Sequence, residues 1–106
     1  MPSYKKLVRD RIPEIIEIDG KKPITHILNE AAYLSELDRK LNEECAEYQE
    51  RKSLEELADM LEVMYAIAEA RGYSVAELEA VRKEKAAVRG GFRDRIYLDG
   101  VEIAHE

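Results

Sequence analysis

Two pairs of acidic residues recur at one interval: Glu44 with Glu47, then Glu56 with Asp59. Residues three apart share a helix face, so each pair can aim two carboxylates at one spot. The Arg51-Lys52-Ser53 stretch between the pairs reads as a tight connection. Two helices so joined run antiparallel and face their acids at each other. Four converging carboxylates repel strongly unless positive charge sits among them. An all-oxygen set suits a hard divalent cation, and Mg²⁺ characteristically links protein carboxylates to phosphates while keeping some waters. A single Glu-x-x-Glu pair is commonly a solvated helix face, and 23 acids in 106 residues produce such pairs by chance. Two pairs on successive helices are harder to dismiss, the second set among Leu57, Ala58, Met60 and Leu61.

The cations are segregated from these acids along the chain. Residues 30–79 hold 14 acids and 5 bases, whereas residues 82–95 hold six bases against Glu84 and Asp94. Lys85, Arg89, Arg93 and Arg95 bracket Gly90-Gly91, where glycine would let the backbone approach phosphate and arginine would give bidentate contacts. The same cations could instead offset a helix dipole, a reading that fits Arg82 and Lys83 equally well. Lys6, Arg9 and Arg11 either supply charge to a neighbouring site or pair locally with Asp10 or Glu14. An acidic middle with basic ends suits a site for a metal and a polyanion, although ordinary surface scatter has the same look. The net charge of −6 disfavours nucleic-acid binding, which needs basic surface.

The elements that position these residues read as helices. Ile12–Ile18 forms a short helix with Pro13 in its first turn. Asp19–Pro23 is a turn, and Ile24–Leu28 is a β-branched stretch with strand character. Asn29 caps a long helix from about Glu30, with Leu34, Leu37, Leu41, Cys45 and Tyr48 at helical spacing. Ser53 caps the next, with Glu56 at capping-box distance. That helix is apolar over much of its circumference, from Leu57 to Ala68, which implies burial on two sides and a second subunit. Gly72 ends it, and Ser74 caps a last helix to about Val88, broken by Gly90-Gly91. Ile96–Leu98 reads as a strand that could pair with 24–28, with a turn at Asp99-Gly100 and a short return after it. The expectation is one all-α domain over residues 1–106 with a minor β-hairpin-like element.

Composition agrees with a small helical protein whose core is thin. Cys45 stands alone, so neither an internal disulfide nor a Cys-based zinc site is possible within one chain, and it reads as a small core residue. No apolar run approaches a membrane span or a signal peptide, so a cytoplasmic protein is expected. His26 and His105 receive no role.

The acidic motifs also carry a family resemblance. Asn-Glu-Glu-Cys-Ala-Glu (42–47) followed by Leu-Glu-Glu-Leu-Ala-Asp-Met-Leu-Glu (54–62) resembles the Glu-Glu-x-x-Glu … Glu-x-x-Asp signature of the all-α nucleoside triphosphate pyrophosphohydrolases, the MazG-like and phosphoribosyl-ATP pyrophosphohydrolase-like enzymes. The interval between the motifs is at the short end for that group. Residues 40–88, including Ala-Arg-Gly-Tyr-Ser (70–74), are most similar to the phosphoribosyl-ATP branch. The flanks Tyr-Lys-Lys-Leu-Val-Arg-Asp-Arg-Ile-Pro-Glu-Ile-Ile (4–16) and Arg-Gly-Gly-Phe-Arg-Asp-Arg-Ile-Tyr-Leu (89–98) resemble a small house-cleaning branch instead.

The resemblance implies antiparallel helices and Mg²⁺-dependent cleavage between the α and β phosphates, with Mn²⁺ as a possible substitute ion. It implies Glu44, Glu47, Glu56 and Asp59 as metal ligands and Glu43 as the acid that orients or deprotonates the attacking water. Glu62 would be an outer partner, an extra ligand or merely solvated. Lys85, together with Arg89 and Arg93 of the flank resemblance, leans toward substrate binding alongside Arg95. It also implies a homodimer or homotetramer built through the central helices. A modified nucleotide is the expected substrate and phosphoribosyl-ATP the alternative. A non-enzymatic helical interaction module is the competing class, with neither nucleic acid nor membrane as partner.

Overall fold

The computed structural model describes residues 5–104, so Tyr4 of the N-terminal flank and His105 lie outside the described residues. Four helices follow one another: α1 (Ile12–Ile18), α2 (Glu30–Arg51), α3 (Leu54–Ala70) and α4 (Val75–Arg89). The protein is all-α. The described residues fall into two compact units, one running through Val75 and the other from Ala76 onward.

In the first unit, α2 and α3 form an antiparallel hairpin, and its termini follow from local chemistry. The Asn29 side chain accepts the Ala32 N–H at 2.9 Å, satisfying one of the free donors at the start of α2. Only Lys52 and Ser53 separate α2 from α3. Lys52 makes this possible by taking a left-handed conformation (φ 57°) while its N–H bonds the Tyr48 carbonyl at 2.8 Å. Ser53 then starts α3 by accepting the Glu56 N–H. The Glu56 carboxylate lies beside Arg51, so the capping-box spacing also brings an acid to the α2–α3 junction.

α3 ends in a Schellman motif. The Tyr73 N–H bonds the Ala68 carbonyl and the Gly72 N–H bonds Glu69, and Gly72 takes the positive φ (91°) that a side chain would disfavour there. Arg71, at this far end, pairs at the surface with Asp38 in the first half of α2 at 3.7 Å.

α2 and α3 pack along one stripe each. On α2 the stripe runs Leu37, Leu41, Glu44, Tyr48, and on α3 it runs Glu56, Asp59, Val63, Ile67. Leu37 and Val63 are the buried apolar side chains among the described residues. Each contributes about 1.5–3 kcal/mol, a thin core for helices of this length. The second apolar face of α3 stays open: Leu54, Leu57, Leu61 and Met64 are all exposed, at helical spacing.

The minor β element does not form: among the described residues there is no strand. Residues 24–28 are irregular, with Ile24 and Ile27 exposed. Residues 96–103 are likewise irregular, with Ile96, Tyr97, Leu98, Val101 and Ile103 exposed. β-branched composition favours a strand only where a ladder partner and a buried face exist, and an isolated two-stranded ribbon is marginal in water. His26 is therefore on an exposed irregular segment rather than a strand.

The second unit consists of α4 and the segment that follows it. Gly90 ends α4 as a left-handed cap (φ 81°), its N–H on the Ala86 carbonyl at 2.8 Å. Among the described residues, no helix is long and apolar enough to cross a membrane.

Candidate metal centre

The helix hairpin brings Glu44, Glu56 and Asp59 together. One carboxylate oxygen of each lies within 4.8 Å of the others. Glu44 and Glu56 are buried, with 7% and 4% of their surface exposed, and Asp59 is half-buried. These acids stand at positions of the α2 and α3 stripes that would ordinarily carry Leu or Ile. That placement distinguishes the cluster from a solvated face: charge in a helix interface is expensive unless it is paired.

Glu47 lies outside the tight triple but adjoins it. Burial first, then the Glu47 charge, pushes the Glu44 carboxyl above its ordinary value; Lys40 pulls it down, while Asp59 and a hydrogen bond with Glu47 push it further up. Three of the four expected ligands thus share one point, and the fourth acts on it at slightly longer range. Glu62 is exposed and stands apart from the triple.

Each acid of the triple, and Glu43 beside it, has a cationic neighbour. Lys40 Nζ lies 3.5 Å from Glu44 and 3.6 Å from Glu43. Arg51 Nη1 lies 3.4 Å from Glu56. Arg9 Nη2 donates to Asp59 Oδ1 at 2.7 Å, and Lys6 Nζ lies 3.7 Å from Glu43. Glu43, the expected water-orienting acid, is half-buried at the edge of the cluster between two ammonium groups. Lys40 and Arg51 were not legible as site residues. The signal for Lys40 was its i,i+4 spacing to Glu44; for Arg51 it was a position five residues before Glu56 across the turn. Of the local pairings open to the N-terminal cations, Arg11 takes Glu14 at 3.2 Å, whereas Arg9 reaches across to α3.

These pairings leave two oxygens unsatisfied. Glu44 Oε2 and Glu56 Oε2 are buried with no hydrogen-bond partner. A buried acceptor without a donor costs about 1–3 kcal/mol, more when charged. A divalent cation coordinated through these oxygens would remove that cost. Oxygens bound to one octahedral Mg²⁺ are separated by about 3 Å when adjacent and about 4.2 Å when opposite, so the three would draw together from their present spread of up to 4.8 Å by rotamer adjustment. The donors are all hard oxygens, which suits Mg²⁺, Mn²⁺ or Ca²⁺ over soft metals. Cys45 is free and half-buried.

In the second unit, Arg89, Arg93 and Arg95 line one open concavity with Phe92, around Gly90-Gly91. Lys85 and Arg89 line a shallower one beside it. All four cations are exposed. Gly90 serves here as a helix cap, which accounts for one of the two glycines without a ligand.

Fold and site together define an all-α helix hairpin with an interfacial carboxylate cluster of metal-holding composition. The chain is similar to an uncharacterized protein of Mycolicibacterium smegmatis, 50% identical over 42 residues. That match covers 40% of this chain and 43% of the relative, so the chain spans less than half of the relative's length. No family model matches the chain. No solved structure matches it either.

Proposed function

We propose that the protein is a Mg²⁺-dependent nucleotide pyrophosphohydrolase of the MazG-like kind, with Mn²⁺ as a substitute ion. Its products are a nucleoside monophosphate and pyrophosphate, and its physiological task is the removal of modified nucleotides. The observation that supports this most directly is the carboxylate triple at helix-interface positions, with two buried oxygens that lack a protein partner. A solvated face would have neither feature.

In this reading Glu44, Glu56 and Asp59 hold the ion and Glu47 completes or tightens the set. A bound divalent ion supplies charge neutralisation at the phosphates and lowers the pKa of water in its shell. Glu43 orients the attacking water and receives its proton. The water oxygen bonds to the α phosphorus, the bridging bond to the β phosphate breaks, and pyrophosphate departs with the electron pair. Lys40 and Lys6, both beside Glu43, set the charge around it. The exposed Leu54, Leu57, Leu61 and Met64 stripe supports a homo-oligomer, since a patch of this kind is normally covered. The arginines around Gly90-Gly91, in the second unit, have the charge and fork geometry that suit a phosphate.

Release of pyrophosphate from a panel of canonical and modified nucleoside triphosphates and phosphoribosyl-ATP, with Mg²⁺ and then Mn²⁺, tests the reading. Turnover of one or more is expected, with Glu47→Gln reducing it at least about tenfold at unchanged fold. No release from any of them with either ion refutes the enzymatic assignment. A clear preference for phosphoribosyl-ATP would move the substrate away from house-cleaning.

A further inference from the structure

Arg9, which lies outside the α2–α3 hairpin, hydrogen-bonds a member of the carboxylate triple through its side chain. It comes from the segment before α1, fifty residues away in sequence, and donates to Asp59 Oδ1 at 2.7 Å. Its side chain remains 58% exposed, so the contact is not enforced by burial. Lys6 from the same segment stands at Glu43. The segment thus reaches the cluster at two points.

We propose that Arg9 is a site residue with two positions: it neutralises Asp59 while no ion is bound, and it pairs with the phosphate of the substrate once one is. This deepens the metal-site reading above and rests on it. A dication held by the Asp59 carboxylate would stand close to the guanidinium on Oδ1, and the two cations repel each other. An ion shared by Glu44, Glu56 and Asp59 therefore loosens Arg9 from its partner. A phosphate that shares the same ion lies next to Asp59, where the released guanidinium already stands. Arginine suits this exchange because its planar fork fits carboxylate and phosphate oxygens equally well.

The proposal makes two expectations of opposite sign for Arg9→Gln. Without nucleotide, loss of the resident cation removes a competitor and tightens Mn²⁺ binding by about three- to tenfold. With the site saturated in Mn²⁺, loss of the phosphate contact weakens inorganic pyrophosphate binding by about tenfold or more. Both are read by titration calorimetry on the full chain. Arg11→Gln, which removes an equally cationic but 81% exposed side chain paired with Glu14, should change neither.

Opposite shifts for Arg9→Gln with none for Arg11→Gln bear the proposal out. Shifts of the same sign, no shift, or a shift in Mn²⁺ affinity alone overturn it while leaving the metal site standing. An equal response from Arg11→Gln reduces the effect to general charge and also overturns it. Wild-type protein that binds no Mn²⁺ would sink the proposal and the metal reading together.

Discussion

Replacing Glu56 with Gln probes the site most directly, because the two changes it should produce differ in kind. Glu56 is the most buried of the three acids, and its Oε2 has no partner. A dication and a carboxylate about 4 Å apart interact by about 2 kcal/mol even at the dielectric of water. Losing that charge therefore weakens ion binding by at least about thirtyfold, since about 1.4 kcal/mol is a factor of ten. The readout is thermal. At an ion concentration one hundred times the wild-type dissociation constant, binding stabilises the folded protein by about 2.7 kcal/mol. A thirtyfold weaker site at that concentration gives about 0.9 kcal/mol. At about 4–8 °C per kcal/mol, the ion-linked rise in Tm falls by roughly 7–14 °C. In EDTA the same variant should melt no lower than wild type. It removes one of three mutually repelling charges and its amide can donate to a neighbouring carboxylate, which offsets the loss of the Arg51 pair and of the dipole contribution at the start of α3. Differential scanning fluorimetry with Mn²⁺ and with EDTA measures both. A Glu56→Gln protein that keeps the full ion-linked rise, or that loses several degrees in EDTA, would refute the assignment of this acid to an ion rather than to the fold.

Further outcomes follow from other parts of the molecule. Glu44 should make the ion-free protein less stable as pH rises. Its folded carboxyl titrates above the 4.5 of the unfolded chain, so between the two values the native state holds the extra proton. Stability then declines from about pH 4.5 upward through the raised value. Urea unfolding in EDTA between about pH 4 and pH 8 should show that slope, and Glu44→Gln should flatten it. Leu61→Glu on the open face of α3 should turn an oligomer into a monomer by light scattering while sparing the hairpin; a wild-type chain that is monomeric at tens of micromolar would contradict the use of this face. Asn29→Ala should remove about 1 kcal/mol by leaving the Ala32 N–H without its cap, seen as a Tm lower by about 4–8 °C.

The placement of the acids explains why the hairpin is built as it is. Glu56 sits in the first turn of α3, where the helix dipole favours a negative charge. Glu44 has no such help near the end of α2 and depends on Lys40 one turn before it. The two-residue connection through Lys52 and Ser53 sets the register that lets both reach Asp59.

Helix identity and extent were legible in the chain itself, because caps and periodicity are local. Asn29, Ser53, Gly72 and Gly90 mark their boundaries through bonds spanning three to five residues. All four acids, Glu44, Glu47, Glu56 and Asp59, were grouped in advance for the same reason, since a three-residue interval on a helix and a short turn leave few ways to arrange them, and three of them meet in the structure. The strands foreseen at 24–28 and 96–98 failed because a ladder depends on a partner elsewhere, which residue composition does not reveal. Only the tertiary structure could show that Glu47 stands slightly aside, that Lys40 and Arg51 serve the cluster, and that Arg9 chooses Asp59 over the acids next to it in sequence. Such choices depend on which side chains the packed helices bring within a few ångströms, and Coulomb energy falls with that distance rather than with separation along the chain.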